Sequence, residues 1–123
     1  MIFDTDVLIW VLRGNEKAAA LVNNDGARSV SVVSAMELLQ GARDKREMAE
    51  IRRLVARFEV IPVSEEMSFR ALLYIEQYAL KTRLSPLDAL IAAAGVERQE
   101  ILCSGNEKHY GKIEGLTLRR FRP

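Results

Sequence analysis

Four acidic residues occupy positions from which they could do chemistry: Asp4 and Asp6 in Met-Ile-Phe-Asp-Thr-Asp, Glu37 in Ser-Ala-Met-Glu, and Asp88 in Ser-Pro-Leu-Asp. Glu37 and Asp88 each follow a serine by three residues, as Glu107 follows Ser104. That is capping-box spacing, the mark of a helix start. An acid in a first helical turn satisfies orphan N–H groups and complements the dipole, worth about 0.3–1 kcal/mol. Capping therefore accounts for any one of these acids taken alone. The N-terminal pair is harder to dismiss, because one cap needs one acid and the sequence supplies two. Carboxylates gathered at one place repel each other and resist ionisation unless a cation joins them. With no cysteine or histidine cluster nearby in sequence, such a set suits Mg²⁺ or Mn²⁺ rather than zinc. A bound divalent ion can activate water and stabilise charge on a phosphoryl group.

Whether the acids meet depends on the elements that carry them. Short β-rich runs cover residues 1–3, 29–33, 59–63 and 101–103, with a weaker fifth at 116–118. The turn cluster Asn23-Asn24-Asp25-Gly26 precedes the second of them. Between the runs, apolar residues recur at helical spacing. Val7, Leu8, Val11 and Leu12 stop at Gly14, and residues 35–57 read as two helices broken near 41–45. Residues 65–80 form another helix, and Leu87, Leu90, Ile91, Ala94 and Val96 a last long one closed by Arg98 and Gln99. This alternation with short connections predicts α/β class: three layers, α/β/α, around a short, mostly parallel sheet of four to five strands. No repeat or linker divides residues 1–123, so a single domain is expected. In a parallel sheet every strand enters its following helix at the carboxyl edge, where ligands bind. Acids placed after neighbouring strands would meet at that rim.

Composition narrows the class without naming a partner. Apolar residues make up 49% and charged residues 28% of 123, which is ordinary for a soluble domain. No apolar run approaches a membrane span, and the N-terminus lacks the basic-then-apolar order of a secretory signal. A lone Cys103 between apolar neighbours fits a buried thiol in a reducing, cytoplasmic setting. The net charge of +1 is too balanced to imply nucleic acid by itself. Arg43, Lys45, Arg46, Arg52, Arg53 and Arg57 alternate with Asp44, Glu47 and Glu50, as on a solvated helix face. Arg119, Arg120 and Arg122 have no acidic neighbours and are better candidates for phosphate contact.

Met1-Ile-Phe-Asp-Thr-Asp-Val-Leu-Ile, Ser-Ala-Met-Glu-Leu, Ser-Pro-Leu-Asp-Ala-Leu-Ile-Ala-Ala and Ser-Gly-Asn-Glu-Lys-His-Tyr together resemble the successive motifs of the PIN-domain family, and within it the VapC group. The match follows the family's order and spans nearly the whole chain. The resemblance implies that Asp4 and Asp88 are the principal metal ligands and that Glu37 binds metal or orients water. It gives Thr5 and Asp6 supporting hydrogen bonds, and Ser104 and Asn106 a part in shaping the pocket. At position 109 many members carry a fourth acid; here stands the only histidine, His109, which could ligate Mn²⁺, contact the phosphate, or do neither.

The same resemblance implies a metal-dependent endoribonuclease of a toxin–antitoxin pair, a homodimer, and a cognate antitoxin lying along a groove formed partly by residues 35–57. Met36, Leu39, Met48 and Ile51 could line that groove or be ordinary core. Trp10 and the Tyr74/Tyr78 pair are candidates for a dimer face. Two rival readings remain open at this point. Asp-Thr-Asp-Val faintly resembles the nucleophile motif of haloacid-dehalogenase-like phosphatases. Alternatively, the chain is a non-catalytic RNA-binding or scaffold module whose acids only cap helices.

Overall fold

Ile2 and Phe3 form β1 (Ile2–Phe3), a two-residue strand at the centre of the sheet with both side chains fully buried. The computed structural model describes residues 1–123. From β1 the chain passes through α1 (Thr5–Leu12) and α2 (Glu16–Asn24) into β2 (Ser29–Ser31). Next come α3 (Val32–Gln40), α4 (Lys45–Val55), β3 (Glu59–Ile61), α5 (Glu65–Thr82) and α6 (Pro86–Arg98). It ends with β4 (Leu102–Ser104), α7 (Glu107–Tyr110) and β5 (Leu118–Arg120). The sheet has five strands in the order β3-β2-β1-β4-β5, and every pair is parallel.

Alternation along these strands sorts the core into two halves. Ile2, Ile61 and Leu102 pack with Met67, Ala71 and Tyr74 of α5 and Ala89 to Ala94 of α6. Phe3, Val30 and Cys103 pack on the opposite face with Val7, Leu8, Ala18, Val22, Ile51 and Leu54 from α1, α2 and α4. That is the expected three-layer architecture. The inner strands β1, β2 and β4 are wholly buried, while the edge strands β3 and β5 put Glu59, Arg119 and Arg120 into solvent. Charges on the edges discourage pairing with another chain.

Several sequence expectations need correction. Helix α2 was not foreseen: its inward face is only Ala18 and Val22, too thin a stripe to stand out, although Asn15 caps it by accepting from Ala18 N at 2.9 Å. Strand β2 ends at Ser31, which caps α3, so Ser34 lies inside that helix and is no cap. Residues 82–84 are not a strand. Asp88 is reached by a helix-to-helix turn in which Arg83 takes the left-handed conformation (φ 58°), and Ser85 then caps α6 as its spacing predicts. The arginines of the last strand line an edge, and Arg120 pairs with Glu107 at 2.5 Å. The solvated basic segment carries the expected i,i+4 pairs, Arg46 with Glu50 on α4 and Arg43, just ahead of that helix, with Glu47.

Apolar side chains also sort differently from the sequence expectation. Ile51 is core, Leu39 and Met48 are half-buried and Met36 is exposed. Tyr74 is buried and Tyr78 packs against the core, while Trp10 packs inward beneath Arg13, whose guanidinium sits 5.3 Å from the ring centre. The aromatic pair of α5 therefore faces the core. The outer face of that helix is a stripe of Phe69, Leu72, Leu73 and Leu80, exposed by 61%, 56%, 55% and 101%.

Candidate active site

The chain leaves β1 for strands on one side and later returns to β4 on the other, so the carboxyl ends of β1 and β4 bound a topological switch point. That is where open α/β sheets build ligand sites. Asp4 ends β1 and Ser104 ends β4, and the Ser104 hydroxyl donates to Asp4 Oδ2 at 2.7 Å, entirely buried. Asp4 Oδ1 accepts from Thr5 N at 2.8 Å, so this acid does cap α1. Asp6, in the first turn of α1, accepts from Gly105 N at 2.8 Å through Oδ2. Its Oδ1 is buried without any partner. Glycine is required at 105: a Cβ there would stand 2.9 Å from Asp6 Oδ2 and 3.1 Å from the Phe121 carbonyl oxygen.

The capping explanation fails for the other two acids. Glu37 sits well inside α3, and its Oε1 accepts the Thr5 hydroxyl at 2.8 Å, with Ser34 Oγ 2.9 Å from the same hydroxyl. Asp88 receives the expected bond at its backbone, from N to Ser85 Oγ at 3.1 Å, but its carboxylate turns elsewhere. Asp88 Oδ1 accepts from the Tyr110 hydroxyl at 3.1 Å, and Oδ2 lies 3.1 Å from His109 Nδ1. Asn106 Nδ2 is 2.9 Å from that same ring nitrogen. A protonated Nδ1 donates to Asp88, and a bare one accepts from the Asn106 amide, so the tautomer decides which partner it keeps. His109 is thus tied to the acidic centre.

Electrostatics set this cluster apart from a row of caps. Burial, and then the neighbouring Asp6 carboxyl, push the Asp4 pKa up from 3.8 to about 7, with Asp88 adding to the rise. Burial also raises Asp6, and Asp88 contributes to that shift too. Neither acid forms an ion pair with a lysine or arginine. The donors available are carboxylate oxygens, a hard set that suits Mg²⁺ or Mn²⁺. Together with the orphaned Asp6 Oδ1 they fit a divalent cation. As they stand, no three acid, imidazole or thiol side chains close on one point, so an ion shared by three would have to draw them together. Glu37 joins the others only through Thr5. Cys103 plays no part here, its thiol pushed up to about 11 by burial.

Sequence reasoning missed Tyr110. It is buried, follows His109 directly and grips one Asp88 oxygen while His109 faces the other. Burial raises its hydroxyl pKa, so it remains a hydrogen-bond donor. The only signal was its place as the last residue of the fourth motif, where an aromatic usually means core. Tyr110→Phe keeps the ring and removes the donor. It is expected to lower divalent-metal affinity about 10- to 100-fold while the melting temperature barely moves. Calorimetric titration with Mn²⁺ checks this; wild-type affinity in the variant would show that the hydroxyl does not position Asp88.

Comparison with known proteins agrees with this geometry. The family model for the PIN domain matches residues 1–113. The chain is 35% identical over 120 residues to Ribonuclease VapC10 of Mycobacterium tuberculosis, an alignment covering 94% of this chain and 90% of that protein. Among solved structures it resembles DNA-bound VapBC from Salmonella typhimurium, with a TM-score of 0.85, 21% identity, and 97% and 96% of the two chains covered. It also resembles a toxin–antitoxin complex from Klebsiella pneumoniae, with a TM-score of 0.81, 24% identity and 94% of each chain covered. A profile match over most of the chain, a ribonuclease relative at this identity and the acids gathered at the switch point agree: this chain belongs to the PIN-domain family.

Proposed function

We propose that the chain is a metal-dependent endoribonuclease, the toxin of a VapBC-type toxin–antitoxin pair, with residues 1–123 forming one nuclease domain. The observation that carries this reading is Asp4, buried beside Asp6 and Asp88 with no ion pair to offset it. Asp4 and Asp88 would hold the ion, with Asp6 and Glu37 within the same acidic group. A bound Mg²⁺ or Mn²⁺ would supply Lewis acidity toward the phosphate and lower the pKa of water. The protein's own contribution is positioning. Ser104 and the Thr5 amide hold Asp4, Tyr110 and His109 hold Asp88, and Thr5 holds Glu37. With Oε1 committed to Thr5, Glu37 keeps Oε2 to accept a proton from water attacking phosphorus. The cap-only scaffold reading is disfavoured because the Glu37 and Asp88 carboxylates bond to side chains rather than to orphan helix amides. Family membership sets aside the phosphatase reading. The test is a purified chain given single-stranded RNA with Mg²⁺ or Mn²⁺. Cleavage that a chelator stops is expected, and intact RNA under every metal condition would overturn the assignment.

Two partners besides RNA belong to this reading. A groove of about 570 Å³ between α1, α3 and α4 is walled by Ile9, Leu12, Leu38 and Ile51 and by Arg13, Arg43, Arg46, Glu47 and Glu50. It reaches Glu37, so an antitoxin segment seated there would run up to the acids. A second copy of the chain would cover the apolar stripe of α5, where four large side chains exceed what a helix in solvent ordinarily shows. Leu73→Arg is expected to convert a dimer to a monomer in light scattering without unfolding it; an unchanged mass would move the dimer face elsewhere. No helix is long and apolar enough to cross a membrane, and a cytoplasmic location suits the free Cys103.

A further inference from the structure

Where α5 ends beside α7, a second cleft of opposite charge lies next to the acidic site. It measures about 350 Å³ and is lined by Lys81, Thr82, Glu107, Lys108, Gly111 and Lys112, with no apolar side chain. Lys81, Lys108 and Lys112 are exposed, and none of them forms an ion pair. The only acid in the lining, Glu107, is engaged by Arg120 at 2.5 Å. Three ammonium groups around one concavity repel each other, and an anion would relieve that repulsion. The cleft shares its scaffold with the acids. The four-residue helix α7 turns His109 and Tyr110 toward Asp88 and presents Lys108, with Lys112 just beyond its end, to the cleft.

We propose that this lysine cleft binds a backbone phosphate of the RNA strand flanking the bond to be cut. The proposal rests on the ribonuclease reading above and extends it to a substrate-binding subsite. A polyanion laid across Asp4, Asp6 and Asp88 is repelled by them, so cations close by are needed to hold it in register. The lining decides between occupants. Apart from the Glu107 carboxylate, which Arg120 engages, it offers ammonium and peptide groups, which serve a phosphate, and no apolar wall against which a peptide's side chains could pack.

The test uses the full chain, a fluorescently labelled single-stranded oligoribonucleotide and a chelator, so that binding is read without cleavage. For Lys81→Ala/Lys108→Ala/Lys112→Ala, affinity at low salt is expected to fall about tenfold or more. The slope of log affinity against log salt should shrink by roughly 0.7, the contribution of the one single-strand phosphate contact that is lost. A Lys17→Ala variant on α2 should match wild type. If the triple variant, with an unchanged melting curve, binds RNA as wild type does, the cleft is not an RNA subsite. If it keeps RNA affinity but loses affinity for a co-expressed protein partner, the occupant is an acidic peptide and the assignment is overturned. If wild type binds no RNA in chelator, the subsite is overturned, whereas the ribonuclease reading falls only if RNA also stays intact with Mg²⁺ or Mn²⁺, which separates the two failures.

Discussion

Asp4→Asn should abolish RNA cleavage and, at the same time, make the metal-free protein more stable. Removing the central carboxylate deprives the site of its best-placed charge, and a loss of roughly a thousandfold in rate is expected. At pH 8 the wild-type carboxylate is ionised in a buried place beside Asp6 and Asp88, an arrangement that burial and like charge both penalise. The neutral amide escapes that penalty and keeps the shape, and Ser104 can rotate its hydroxyl to suit the new group. A gain of about 1–3 kcal/mol, several degrees in melting temperature, is expected for the variant in chelator. Mg²⁺ should no longer raise the melting point. A variant that cleaves at the wild-type rate, or melts below wild type in chelator at pH 8, contradicts the role given to Asp4.

The second large effect is the response of the metal-free chain to pH. Below 3.8 the Asp4 carboxyl is protonated whether the chain is folded or not. Between there and about 7 the folded chain keeps a proton that the unfolded chain has released, so stability falls as pH rises and the loss is complete above about 7. That interval corresponds to at most about 4 kcal/mol, and Asp6, also raised, acts in the same direction. In chelator the melting temperature should therefore decline from pH 5 to pH 8. Saturating Mg²⁺ binds the ionised carboxylates and should reverse the decline at pH 8, by about 2.7 kcal/mol at a hundredfold excess over Kd. A melting temperature that is flat or rising over this range in chelator would show that Asp4 holds no such proton.

These expectations rest on features that were unequally visible in the sequence. The parallel sheet and its three layers were legible because strand and helix periods differ and alternate cleanly. The acids were legible by type and place, since residues just past the carboxyl ends of neighbouring parallel strands are gathered at one rim. Their bonding partners were not. Ser34 has the spacing of a cap, yet Ser31 takes that role and Ser34 instead meets Thr5. Spacing fixes which residues lie near a helix start but leaves the first turn free to slide by one turn. Asp88 was expected after a strand and arrives after a helix, because Leu84 is a buried plug in a short turn rather than a ladder residue. Tyr110 was invisible because its partner lies 22 residues away along the chain. Helix α2 was lost because only Ala18 and Val22 of its short run are buried, too few apolar positions to set a period.

The bond between Ser104 and Asp4 joins residues 100 positions apart. Strand β1 likewise finds its second neighbour only at Leu102 and Cys103. During synthesis, then, most of the polypeptide emerges from the ribosome before its first acid has a side-chain partner to settle against. A product cut short ahead of residue 104 lacks the serine that steadies Asp4 and every partner of the Asp88 carboxylate. A competent acidic centre is therefore expected only after the segment carrying Ser104, His109 and Tyr110 has been translated.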